Sequence, residues 1–420
     1  SDGLNFNIRN SIFNDTIDDE VEQNEGMYIK DFGDNDVTIR GAGIAINNGI
    51  VIKDNDKYLH TFQVNTTGDI NISHKDGSDM ESTAAISVKS NDDRNFSGSV
   101  TANQIDLTNQ YFTGYGMGEA GIYLNKSGKG TNTLTIESNV LNITDFNYGI
   151  DVYEDSVLNV KANDITISSD RTKFSRGGKN VYGIQVHSYL NKTEQEIEEH
   201  DSVLNMEVSN NMTLKNLDTA VTLTGNNLSM DINVGNTIDI KNENGSSKAA
   251  VSFTGRGINT VDSLNKESLA VIQAGNAIYI DNYNTGIDST YDANNGEISL
   301  GSDITLAAGN RIEIKNVNMG IHSKGKENKV RLTNHEEVDE KNNQNIITAE
   351  DQAVHAEEAS AVTLDGKDNS LTALGNKETI LAENKAKVDL MAENSNEITS
   401  GTLSDEKTYS DGIAISAANE

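Results

Sequence analysis

Apolar and polar residues alternate in short runs along most of the chain. Residues 139–168 read NVLNITDFNYGIDVYEDSVLNVKANDITIS. They hold four such runs: Leu141-Asn-Ile143, Ile150-Asp-Val152, Leu158-Asn-Val160 and Ile165-Thr-Ile167, with Gly, Asn, Asp and Ser between them. A period of two marks a strand with one apolar and one polar face. Ile150 is expected inside, and Asp151 outside and exposed.

The runs recur in columns. In one column a small residue precedes a β-branched one: Gly49-Ile50, Ala85-Ile86, Gly121-Ile122, Gly149-Ile150, Gly183-Ile184, Ala220-Val221, Ala250-Val251, Gly286-Ile287, Gly320-Ile321, Ala353-Val354 and Gly412-Ile413. Successive members lie 28 to 37 residues apart, except for a last gap of 59 that fits about two repeats. A second column is led by Asn103, Asn139, Asn163, Asn210, Asn236, Asn276 and Asn310. Each stands just before an apolar-polar-apolar triplet such as Ile105-Asp-Leu107 or Ile312-Glu-Ile314. A third column leads into the Asn: Val100-Thr-Ala102, Leu134-Thr-Ile136, Leu158-Asn-Val160, Leu204-Asn-Met206, Met230-Asp-Ile232, Ile304-Thr-Leu306 and Val388-Asp-Leu390.

Three short strands per repeat predict an all-β solenoid, a parallel β-helix. One coil cannot bury its inward side chains, whereas stacked coils pair equivalent strands and form ladders of Ile, Val and Leu. At roughly 33 residues per coil the chain makes about 12–13 coils, a stack roughly 60 Å long at a strand spacing of about 4.8 Å. Residues 1–420 are expected to be one elongated domain, with 1–40 as an N-terminal cap and first coils. The small residue of the Gly-Ile column suits a tight corner. The column Asn suits a left-handed turn and amide-to-amide bonding between coils. Insertions are expected at 171–201 and 334–344. The first holds basic Arg171, Lys173, Arg176 and Lys179, then acidic EQEIEEHD at 194–201, which could form one helical turn. Beyond about residue 345 the spacing is less regular.

Composition adds constraints. Only 35% of residues are hydrophobic and the mean hydropathy is -0.53, which by themselves would fit disorder. The strict alternation argues against it. Cys, Pro and Trp are absent, so disulfides and thiolate metal sites are excluded. The lack of Pro suits unbroken strand ladders. A formal charge of -32 excludes direct phosphate-backbone binding, and no apolar stretch is long enough to insert in a membrane. The stretch reads as a piece of a longer chain, with any signal or anchor outside it.

Catalytic motifs are missing. There is no GxSxG and no Gly-Asp-Ser-Gly. Carboxylate pairs, the device of β-helix glycosidases and lyases, carry no specificity among 65 acidic residues. Aromatic residues for sugar stacking are few and scattered. His322 and His355 fall at the same outward position of the Gly-Ile column. They could pair around a metal, although two exposed polar residues on a strand face are the commoner outcome. Asp-rich turns at Asp31–Asp36 and Asp54–Asp56 lack a full calcium-loop pattern. No enzyme activity, cofactor or metal is expected.

The repeated GI-x-V and L-x-V-x-A-x-N coils, roughly residues 40–420, resemble the passenger domains of bacterial autotransporters, in particular the self-associating adhesins. The resemblance implies a right-handed β-helix at the surface of a Gram-negative bacterium, exported by a C-terminal β-barrel outside this sequence. It implies cell–cell aggregation, biofilm formation or attachment to host surfaces, with the same protein on neighbouring cells, other bacteria, or host glycans and proteins as partners. It gives the outward residues of the Asn-led column a role in self-association: Asp106, Asn142, Thr166, Thr213, Asp239, Tyr279 and Glu313. Arg171, Lys173, Arg176 and Lys179 form a candidate ligand-contacting loop. Two other classes stand beside this one: a polysaccharide lyase or hydrolase, and a structural stalk.

Overall fold

The computed structural model describes residues 4–7, 11–13, 27–30, 35–41, 44–47, 50–54, 59–74, 84–90, 95–109, 120–126, 130–170, 180–188, 202–243, 247–256, 267–292, 301–335, 342–375, 377–401 and 415–418. Among these the protein is all-β, with 31 strands and no helix. Neighbouring strands pair in parallel throughout each of the two compact units, Ser1–Ser209 and Asn210–Glu420.

In the first unit three rows of strands advance together. Leu4, Ser11 and Met27 lie opposite Val37, Ile44 and Ile50. These lie opposite Phe62, Ile70 and Ile86, and those opposite Gly98, Ile105 and Ile122. The chain therefore visits the lead-in, Asn-led and Gly-Ile rows in fixed order and returns to the first. Residues 1–40 already supply a strand to each row.

Burial follows the period of two. In the strand Asn132–Thr144, Leu134, Ile136, Leu141 and Ile143 are at most 1% exposed, while Thr133, Thr135 and Asn142 between them are half-buried. Ile50, Ile86, Ile122, Ile150 and Ile184 stack in register, each 0% exposed. In the second unit Val221, Val251, Ile287, Ile321, Val354 and Ile380 stack likewise, at most 4% exposed. Stacked β-branched side chains fill such a ladder well because their rotamers are few.

Several expectations need correction. The three strands per repeat are not always separate, because Phe96–Asn109, Asn132–Thr144 and Ser156–Ser168 each run through the lead-in and Asn-led rows without a break. The lead-in triplet at Val100 is two residues out of register: Val100 faces Ile136, and Gly98 faces Leu134. A glycine carries no hydropathy signal, and the side chains of Phe96 and Leu134 take the space beside Gly98. The last gap in the Gly-Ile column holds Ile380, which pairs onward with Ile415. Gly412-Ile413 lies outside the described residues.

The left-handed corner also sits elsewhere. Positive φ falls at Asp145, Asn216, Asn282 and Asn316, each one residue after an Asn-led strand segment, and at none of the column-leading Asn residues. Short polar side chains tolerate this backbone because they can bond locally. Asn216 also reaches the next repeat, its Oδ1 accepting from the Glu243 amide at 2.9 Å. The column glycines answer to close approach rather than to φ: a Cβ on Gly149 would stand 2.5 Å from the Gly183 carbonyl oxygen and against Ile167.

From Ile312 onward one inward row changes chemistry, passing to Asn345, Asn369 and Asn396. Asn345 and Asn369 are 0% and 1% exposed. Asn345 Nδ2 donates to Asn369 Oδ1 at 2.8 Å, and Asn369 Nδ2 to Asn396 Oδ1 at 2.7 Å. Buried amides persist where each finds a partner, and a parallel register supplies one at every step.

Candidate functional site

The outward residues of the Asn-led row form continuous lines within each unit. In the first unit Asn71, Asp106, Asn142 and Thr166 lie opposite one another in turn. Two residues along the same strands a second line runs through Ser73, Thr108, Thr144 and Ser168. Period-two geometry puts both lines on one side of the wall. All eight side chains carry hydrogen-bonding groups, and only Asp106 carries charge. Asp106, Asn142 and Thr166 are the residues the sequence pattern picks out here; Asn71 and the whole second line are not among them.

Part of this line is already engaged. Asn142 Nδ2 donates to Asp106 Oδ1 at 2.8 Å, and Gln104 Nε2 donates to Asp106 Oδ2 at 2.7 Å. Beside it the column asparagines bond amide to amide, Asn139 to Asn103 at 2.9 Å and Asn163 to Asn139 at 3.1 Å.

In the second unit Thr213, Asp239, Tyr279 and Glu313 stand in line. A parallel line of Lys215, Lys241, Asp281 and Lys315 lies two residues along. This side is therefore mixed in charge. Glu313 is paired with Arg311 at 3.4 Å and Lys315 at 3.2 Å. Glu243 bridges Lys215 at 3.0 Å and Lys241 at 3.7 Å, and the hydrogen bond from Lys215 holds its carboxyl below the usual range. Burial raises the Asp239 pKa, with Lys241 opposing.

The Gly-Ile wall of the first unit carries the second concentration of chemistry. Tyr123, Asp151 and Gln185 form one outward line, and Asn125, Tyr153 and His187 the next. Asp151 faces away from the ladder as expected, yet it is only 5% exposed. Its Oδ1 lies 2.8 Å from His187 Nε2. The His187 ring stacks on Tyr153 with centroids 4.5 Å apart, and Tyr148 stacks on Tyr182 at 5.3 Å. Burial, with Asp151 nearby, pushes the Tyr123 hydroxyl up to about 12. Four tyrosines that look scattered along the sequence, Tyr123, Tyr148, Tyr153 and Tyr182, are gathered here, because register brings residues about 30 apart side by side.

His322 and His355 are in register on the Gly-Ile wall of the second unit, their rings 5.4 Å apart. A hydrogen bond to Asp288 holds the His322 pKa above its ordinary value, with burial opposing and Glu357 adding. Arg171, Lys173, Arg176 and Lys179 lie outside the described residues, as do the acidic stretch 194–201 and the Asp-rich turn residues Asp31, Asp34 and Asp56. No family model, curated protein or solved structure matches the chain.

Proposed function

We propose that the chain is a right-handed parallel β-helix of the autotransporter-passenger kind, and that it works as a cell-surface adhesin. It would act at the outer surface of a Gram-negative bacterium. Fixed-order return through three rows supports the coil architecture, since a chain that meets its own earlier strands in the same sequence each time is winding. The observation that carries the adhesive function is the double line Asn71-Asp106-Asn142-Thr166 and Ser73-Thr108-Thr144-Ser168. Such a surface repeats hydrogen-bonding groups at the strand spacing of about 4.8 Å. An identical surface on a second molecule can meet it with many weak contacts at once, and multivalency turns these into strong attachment between cells. Displaying the chain on cells that do not clump, and following their sedimentation, tests this.

A second function, polysaccharide recognition, is favoured by the stacked Tyr148–Tyr182 pair and the Tyr153–His187 stack beside Asp151. Aromatic faces and a carboxylate are what a sugar ring meets in binding clefts. Quenching of tyrosine emission by soluble polysaccharide, lost in Tyr148→Ala and Tyr182→Ala, would support it.

A further inference from the structure

We propose that His322, His355 and Glu357 form a binding site for a first-row divalent metal ion of the zinc type. The sequence alone assigned no metal here. One ring nitrogen of each histidine and one carboxylate oxygen of Glu357 lie within 4.8 Å of one another. Bound to a common ion at about 2.0–2.2 Å each, the three donor atoms would need to close by only about an ångström. His322 and His355 stand in register on neighbouring strands, and Glu357 lies two residues beyond His355, on the same side of its strand.

The surroundings fit the assignment. His322 Nδ1 lies 2.8 Å from Asp288 Oδ1, while His322 Nε2 faces Glu357 Oε1 at 3.1 Å. A carboxylate behind one ring nitrogen fixes the ring and leaves the other to bind the metal, which is how metal-ligating histidines are usually held. His355 has a similar support, with its Nε2 3.5 Å from Glu383 Oε2. The His322, His355 and Glu357 side chains are 21%, 17% and 17% exposed, so an ion can enter and keep water at its open positions. Two imidazoles and one carboxylate select zinc-like ions over calcium and magnesium, which prefer oxygen. One group opposes the ion: Lys324 Nζ lies 3.3 Å from Glu357 Oε2. It is 39% exposed, meets Glu357 only at the second oxygen, and also pairs with Glu358 Oε1 at 3.3 Å, so it can leave Glu357 and keep a carboxylate partner.

The test is calorimetric titration of the tag-free chain with zinc chloride alone, backed by the visible spectrum of the cobalt(II)-loaded protein. One saturable equivalent is expected. His322→Gln and His355→Gln should each abolish it, and Asp288→Asn should weaken it by about 10–100-fold. Lys324→Gln should tighten it, and His187→Gln, on the other unit, should leave it unchanged. Circular dichroism of each variant separates lost binding from lost folding. No saturable binding by the wild-type chain would overturn the site, as would an undiminished equivalent in a folded His355→Gln variant.

Discussion

Asn142 donates its amide to Asp106 across 2.8 Å, from one strand of the outward face to the next in register. The same carboxylate takes the Gln104 amide on its other oxygen. The proposed adhesive face is thus partly braced by its own side chains, which keeps it flat and ordered before any partner arrives. Asp106→Ala removes two such bonds from a half-buried site. A loss of about 1–2 kcal/mol is expected, read as an earlier midpoint in urea unfolding with little change in slope.

Ile150 and Asp151 were expected to behave oppositely, and the structure changes half of that. Ile150 is wholly buried between Ile122 and Ile184, so Ile150→Asp should cost several kcal/mol by placing an unpaired charge in the ladder. Asp151 is also nearly buried and lies against His187. Asp151→Ser should therefore lower the melting temperature measurably, though less than Ile150→Asp. A silent Asp151→Ser would mean that the His187 contact contributes nothing.

Asp239 gives a pH signature. Burial raises its folded pKa above the unfolded value, so between the two values the folded state binds more protons. Stability then falls as pH rises through that window, and the ionised carboxylate costs stability above it. Asp239→Asn should melt higher than wild type at about pH 7 and match it near pH 3, below the ordinary carboxylate range. Paired thermal melts at the two values check this, and an advantage at low pH alone would reverse the sign.

At a formal charge of -32, two copies repel through dilute buffer, where the screening length is about 30 Å at 0.01 M salt, against about 8 Å at 0.15 M. Self-association through a hydrogen-bonding face should accordingly speed up as salt is added. An attachment made by Arg171, Lys173, Arg176 and Lys179 to an acidic partner should weaken instead. The initial clumping rate against ionic strength distinguishes the two.

The strands were legible because alternation is a local signal, and so were the inward Ile and Val columns. The outward line from Asp106 to Thr166 followed from the same period. What escaped the sequence depends on register across repeats. Tyr123 and Asp151 are 28 residues apart yet adjacent in one line. The second line, through Thr108 and Thr144, exists only by pairing across repeats. The inward Asn345 and Asn369 interrupt the apolar pattern beyond about residue 345, although the strands there pair in register. The left-handed corners at Asn216 and Asn282 were masked by an abundance of other asparagines.

The most direct test of the central claim compares clumping of cells displaying the wild-type chain with cells displaying the variant Asn142→Ala, Thr144→Ala and Thr166→Ala. These changes strip hydrogen-bonding groups from both outward lines of the first unit and leave Ile143, Ile165 and Ile167 in the core untouched. With equal surface display and unchanged circular dichroism of the purified chain, the account predicts that the wild-type cells sediment and the variant cells stay suspended. Variant cells that sediment as fast as wild type would contradict it.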